Sequence, residues 1–158
     1  MQAKRGFTLV EILIVVVILG SLAAIVIPQF TQASTEAKVS STVSSLQSLR
    51  SQIELYKIQH NDAPPALATF SDQMIFVTDA GGDSTADKVR VPATGHIYGP
   101  YLERMPVNPW NDSSTLAAAD AAGVGWVYNA ITGEIYVAVA DVADAALVTT
   151  LTNAGATR

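Results

Sequence analysis

Two hydrophobic patterns follow one another at the start of the chain. From Phe7 to Ile27 the sequence is apolar on every side, with Thr8, Glu11 and Ser21 its only polar residues and Gly20 its one glycine. A helix of that length spans about 30 Å, the thickness of a bilayer hydrocarbon core. From Gln29 to His60 the apolar residues thin to a single stripe. Val39, Val43, Leu46, Leu49, Ile53 and Tyr56 recur at steps of three and four, and Glu36, Ser40, Ser44, Gln47 and Lys57 fall mostly elsewhere. That spacing predicts an amphipathic helix. The two patterns together predict one helix over 7–60, apolar all round in its first half and one-sided in its second. The stripe needs a cover, and the C-terminal region is the only candidate within the chain.

Beyond His60, Asn61-Asp62-Ala63-Pro64-Pro65 ends the helix, because paired prolines cannot continue it. Ser71 offers a cap for a short helix that turns Phe70, Met74 and Val77 inward, and a strand over Met74–Thr78 fits nearly as well. Asp79–Asp87 reads as an exposed loop. Pro100 favours a short helical turn through Tyr101, Leu102 and Met105, after which Pro106 and Pro109 impose extended chain. The aromatic residues of Tyr98–Trp110 are expected to pack on the long helix rather than stack on a ligand. Gly125–Asn129 and Glu134–Val139 alternate like half-buried strands and are joined by Ala130-Ile131-Thr132-Gly133, so they predict a β-hairpin. A short helix over Asp144–Leu151 completes the chain. The fold class is α+β: a long N-terminal helix, membrane-spanning and then amphipathic, packed against a small C-terminal antiparallel hairpin or sheet head.

Composition narrows the function. The 158 residues suit one domain, and the balance is −5. Without Lys4 and Arg5, seven basic and fourteen acidic residues remain, a balance of −7. Such a chain does not draw nucleic acid by bulk charge. With no cysteine it holds no disulfide and no thiol chemistry. His60 and His96 stand alone, Gly81-Gly82 is a turn rather than a phosphate loop, and the serines between Ser40 and Ser51 read as a solvated face. No nucleophile–base set emerges, so the chain is not expected to be an enzyme. The acids of Asp79–Asp87 raise calcium, but their spacing lacks the regular ligand ladder and closing Glu of an EF-hand. No cofactor and no metal are therefore expected.

The cations before the apolar run set its orientation, since positive flanks stay cytoplasmic. A cleaved secretory signal would stop near Ser21-Leu22-Ala23; here the apolar run goes on through Ala24–Ile27 and a helical pattern follows Pro28. A plain anchor has no use for Glu11. An acid within a bilayer costs a few kcal/mol and is usually functional or paired. In the first turn the helix dipole favours it and headgroup water reaches it. Once helices pack together it needs a cation, and no other residue from Thr8 to Gln29 is ionisable. A free amino terminus at Phe7, made by cutting after Gly6, would supply one, most naturally to a neighbouring subunit. Leaving one partner of such a buried pair alone costs ~3–5 kcal/mol, which penalises wrong register. Gly20 and Pro28 bracket a stretch of weakened helix.

Lys4-Arg5-Gly6-Phe7-Thr8-Leu9-Val10-Glu11, with the apolar run and Pro28, closely resembles the class III signal of type IV pilins and type II secretion pseudopilins. The match covers roughly residues 1–30; Tyr98–Trp110 resembles the family more weakly. The resemblance implies cleavage between Gly6 and Phe7 by a membrane peptidase that also methylates the new amino terminus. It implies pairing of Glu11 with the amino terminus of an adjacent subunit, and a Gly20–Pro28 segment that stretches on packing or stays as a fixed kink. It divides the chain into a leader (1–6), a transmembrane assembly helix (7–28), an amphipathic helix (29–60) and a globular head (61–158). The implied function is a structural subunit of a pilus or pseudopilus filament, for secretion, adhesion or motility. The alternative is a minor pilin that binds or primes at a filament tip. The implied partners are further copies in a helical filament, the inner membrane, the peptidase and methyltransferase, an assembly platform and minor pilins, with no nucleic acid. The chain would sit in the bacterial inner membrane with its leader cytoplasmic, then in a periplasmic or surface filament. The C-terminal calcium loop common in major pseudopilins is not matched by the tail from Asp141.

Overall fold

The computed structural model describes residues 6–157, so most of the leader, with Lys4 and Arg5, lies outside the described residues. The long helix, α1, spans Leu9–Gln59 and contains Pro28. The chain divides into two compact units, residues 1–37 and 38–158, and the helix contributes to both.

In the first unit the side chains from Phe7 to Phe30 are uncovered; Leu13, Val17 and Ile27 are 57%, 62% and 64% exposed. By length and composition α1 is the one described helix fit to cross a membrane. The helix continues through Gly20 and Pro28. Proline has no N–H, so the carbonyl of Ala24 loses its usual partner. Nearby hydroxyls bond back onto the helix: Ser21 Oγ to the Ile18 carbonyl at 2.9 Å and Thr31 Oγ1 to the Ile27 carbonyl at 3.2 Å.

The second unit, the head, forms where the stripe is covered. Leu46, Leu49, Ile53 and Tyr56 of α1 are buried against Phe70 and Met74 of α2 (Phe70–Ile75) and Trp126, Tyr128, Ile135 and Val137 of the sheet. Leu151 of α3 (Ala145–Asn153) closes the same core. Large aromatics can be buried here because their polar tips find partners. Trp126 Nε1 donates to the Pro106 carbonyl and Tyr128 Oη to the Pro65 carbonyl, both at 2.8 Å. Trp110 Nε1 donates to Thr42 Oγ1 at 3.2 Å and Tyr101 Oη to Gln59 Oε1 at 2.6 Å. The aromatic residues of the Pro-rich stretch thus pack on the helix, as expected. Burial pushes the phenols of Tyr56 and Tyr101 up to about 12.

The sheet has three short strands in the order β1-β2-β3: Leu116–Ala117, Trp126–Tyr128 and Ile135–Val137. The expected hairpin is β2 with β3, antiparallel, with Trp126 opposite Val137 and Tyr128 opposite Ile135. Its turn ends on Gly133, whose φ of +80° suits glycine. The head is not purely antiparallel, however: β1 pairs with β2 in parallel. A strand of two half-buried residues has too little alternation to show in the sequence.

Two local expectations need correction. Ser71 does not cap α2; the helix starts at Phe70 after Thr69, with no side-chain cap, and the strand alternative over Met74–Thr78 gives way to helix through Ile75. Pro100 starts no helical turn. The backbone N–H groups of Tyr101 and Leu102 both donate to the Met74 carbonyl, at 2.9 and 2.8 Å, and this holds the chain extended against the end of α2. The C-terminal helix forms close to its expected place, with Asp144 Oδ1 accepting from Ala146 N at 2.8 Å as an N-cap.

Arg50 ties the tail to the helix, donating to the carbonyls of Ile135 at 3.0 Å and Gly155 at 2.8 Å. Asp120 accepts from the N–H groups of Val139 and Ala140, each at 3.1 Å. Asp141 Oδ2 accepts from Asn111 Nδ2 and Gly123 N, both at 2.8 Å. These two donors, Asn111 first, hold the Asp141 carboxyl below its ordinary value of 3.8. A depressed folded-state value means the clamp stabilises the loop above 3.8 and is lost as pH falls through the lower, folded-state value. The Gly123 amide resonance should therefore titrate with a midpoint below pH 3.8, and Asp141→Asn should abolish that titration.

Candidate functional site

The start of α1 is where the described first unit draws a carboxylate into a set of hydrogen bonds. Thr8 precedes the helix, and its carbonyl accepts the first helical bond, from Ile12 N at 3.3 Å. A helix leaves its first N–H groups without partners inside the helix. Here Glu11 Oε2 accepts from Thr8 N at 2.8 Å and from Thr8 Oγ1 at 2.7 Å, while Thr8 Oγ1 accepts from Glu11 N at 3.2 Å. This is a reciprocal capping box, in which the cap residue and the residue three positions later satisfy each other. Glu11 Oε1 makes no hydrogen bond among the described residues. The acid therefore closes its own helix with one oxygen and presents the other.

Gly6 and Phe7 lie directly before this box, outside α1, and Phe7 is 82% exposed. A cut between them would leave the Thr8 N–H intact, so the box would survive it. Gly20 and Pro28 stand farther along the same helix, so the structure does not gather the sequence-derived residues into a pocket. A Cβ added at Gly20 would meet nothing within 4 Å. Thr8 is the site residue that the apolar pattern alone does not single out. Its signal was present all the same, a Thr followed three positions later by Glu before an apolar run.

The head residues singled out from the sequence serve the fold. His60 is 3% exposed and stacks on Tyr56 with ring centroids 3.8 Å apart. Its Nδ1 lies 2.8 Å from the Tyr56 carbonyl and its Nε2 lies 2.9 Å from Thr78 Oγ1. His96 is half-buried, with its Nδ1 2.9 Å from Thr94 Oγ1. Asp79 spends its carboxylate on its own loop, accepting from Gly81 N and Asp83 N, each at 2.9 Å.

A family profile described as a prokaryotic N-terminal methylation motif matches residues 1–27. The chain is also similar over most of its length to proteins named type II secretion system core protein G. It is 30% identical over 124 residues to that of Klebsiella michiganensis, which covers 77% of this chain and 79% of the relative. It is 31% identical over 122 residues to that of Pseudomonas aeruginosa, covering 77% and 79%, and 31% over 116 residues to that of Aeromonas hydrophila, covering 71% and 73%. The chain belongs to the pseudopilin family. No solved structure gives a significant match. Pseudopilins are structural subunits of a secretion system rather than enzymes. An apolar N-terminal helix followed along the chain by a small α+β head is consistent with that family.

Thr8→Val tests the box of this pseudopilin. It keeps the side-chain shape and removes the hydroxyl that both donates to and accepts from Glu11. The helix start should lose about 1 kcal/mol. In detergent micelles, amide exchange at Leu9 to Ile12 should quicken while exchange in the head stays unchanged.

Proposed function

We infer that this pseudopilin is cut after Gly6, methylated at Phe7 and polymerised into a filament that serves secretion. Before assembly it spans the inner membrane once, leader cytoplasmic and head outside; afterwards it belongs to a periplasmic filament. The peptidase that cuts it and the enzyme that methylates it, an assembly platform and minor pilins are its partners, and further copies of the chain are its main contact. The observation that carries this reading is the state of Glu11. It is the only ionisable residue between Thr8 and Gln29, and among the described residues one of its oxygens is held by Thr8 while the other accepts no hydrogen bond.

The mechanism is assembly rather than catalysis. Packing the apolar halves of neighbouring helices removes lipid and headgroup water from Glu11. The amine of a neighbour's Phe7 then supplies the missing cation at Oε1. Because Thr8 holds Oε2, the carboxylate meets that amine in a fixed orientation and need not release its own helix. A subunit in the wrong register would leave a carboxylate and an amine buried apart, at ~3–5 kcal/mol for each uncompensated charge. The weakened stretch between Gly20 and Pro28 is where the helix lengthens if packing demands it.

Mass spectrometry of filament material from the native host should show residues 1–6 missing and one methyl group on Phe7. Glu11→Gln should still be cleaved and inserted, while filament yield falls sharply. Methylation is measured separately to keep the two effects apart. An intact Met1 in filaments, a cut near Ala23, or normal yield from Glu11→Gln would overturn the reading.

A further inference from the structure

The head carries an open apolar groove that its own core does not fill. Val127 and Tyr136 alternate with the buried residues of β2 and β3 and are only half-buried. With Leu67, Val139 and Val148 they line a groove of about 530 Å³. That volume is in the range of binding sites. On its edge Ile131, in the hairpin turn, is 89% exposed. Contiguous apolar surface of this kind marks an interaction site more often than a lone exposed residue does.

Charge narrows the occupant. Asp120 lines the groove, and no lysine or arginine is among its described lining residues. Asp141 follows Val139 closely in the chain, and Asp144 caps α3 one turn before Val148. The fitting partner is therefore an apolar segment flanked by cations. The chain itself has one in Lys88-Val89-Arg90-Val91, where valines 64% and 38% exposed alternate with two cations. Arg90 uses only Nε within the chain, donating to the Gly99 carbonyl at 3.2 Å. Its terminal nitrogens have no partner among the described residues. Lys88 Nζ donates to the exposed carboxylate of Glu103 and to the Glu103 carbonyl, each at 2.9 Å; the ion pair is a surface one of low worth.

The geometry points to the groove of one copy as the seat for the Lys88–Val91 strip of a second copy. Val89 and Val91 cover Val127, Val139 and Val148, and the long cationic side chains reach round to Asp120, the acid that lines the groove. Groove and strip share no residues, so the contact is head-to-tail, the kind that propagates instead of closing on itself. This inference rests on the filament reading and adds the head surfaces that meet within it.

The absence of native cysteine makes a clean test possible. The full chain carrying both Val89→Cys and Val148→Cys is expressed in its host, oxidised, and analysed without reductant. A ladder of dimers and higher multiples is expected, with each single variant stopping at the dimer or remaining monomeric. Val91→Cys with Val139→Cys reads the same contact if the first pair folds poorly. Filaments that form but give no ladder from either pair overturn the groove assignment and leave the filament reading intact. Cross-linked bands that are not multiples of the chain put another protein in the groove and also overturn it. No filaments from the unaltered chain overturn the filament reading, and this inference with it.

Discussion

An isolated carboxylate in an apolar helix sets the terms for everything around it. Glu11 has no cation within its own run, from Thr8 to Gln29. In a single subunit the problem is eased locally: the acid sits in the first turn, where the helix dipole favours it, and shares hydrogen bonds with Thr8. In a packed bundle that is not enough, because a hydrogen-bonded charge without a counter-charge remains costly away from water. The chain is thus stable enough alone and incomplete alone. In the proposed assembly, its second charge is the amine that a cut before Phe7 would create on a neighbouring copy.

The head answers a different problem, that of covering one stripe with few residues. Two- and three-residue strands cannot build a core by area alone. Four features compensate. Aromatic residues with partnered polar tips fill the space between helix and sheet. Arg50 draws the tail onto the helix through two carbonyls. Asp120 and Asp141 fix loops through backbone N–H groups. Asn108 joins distant segments, its amide donating to the carbonyls of Gly125 at 3.1 Å and Ala138 at 3.0 Å. Gly125 is required at this crossing, since a Cβ there would lie 2.2 Å from the Ser113 carbonyl oxygen.

What was legible in the sequence follows from the range of the interactions. The long helix and the β2–β3 hairpin rest on strong periodicity and local turn chemistry, so the chain displays them openly. The buried stripe departs from the apolar pattern at one turn. Val43 is only half-buried, whereas Thr42, a polar residue, is fully buried because its hydroxyl accepts from Trp110, 68 positions away. The parallel strand β1, the extended path after Pro100 and the clamps by Asp120 and Asp141 all depend on partners far along the chain, and no local pattern announces them. Thr8 is the opposite case: its partner is three residues away, and the pattern was there to be read.

In the filament we propose, Glu11 accepts from its own Thr8 and from a neighbour's Phe7 amine at once. Filaments grown from a mixture of two subunit preparations, one carrying ¹⁵N at Phe7 and the other ¹³C at the Glu11 carboxyl, test it by solid-state NMR. Dipolar contact between the two labels is expected across the subunit boundary, at ion-pair distance, with the Thr8 contact retained. Assembled filaments in which the Glu11 carbon senses only its own Thr8, and no labelled amine of a neighbour, would contradict it.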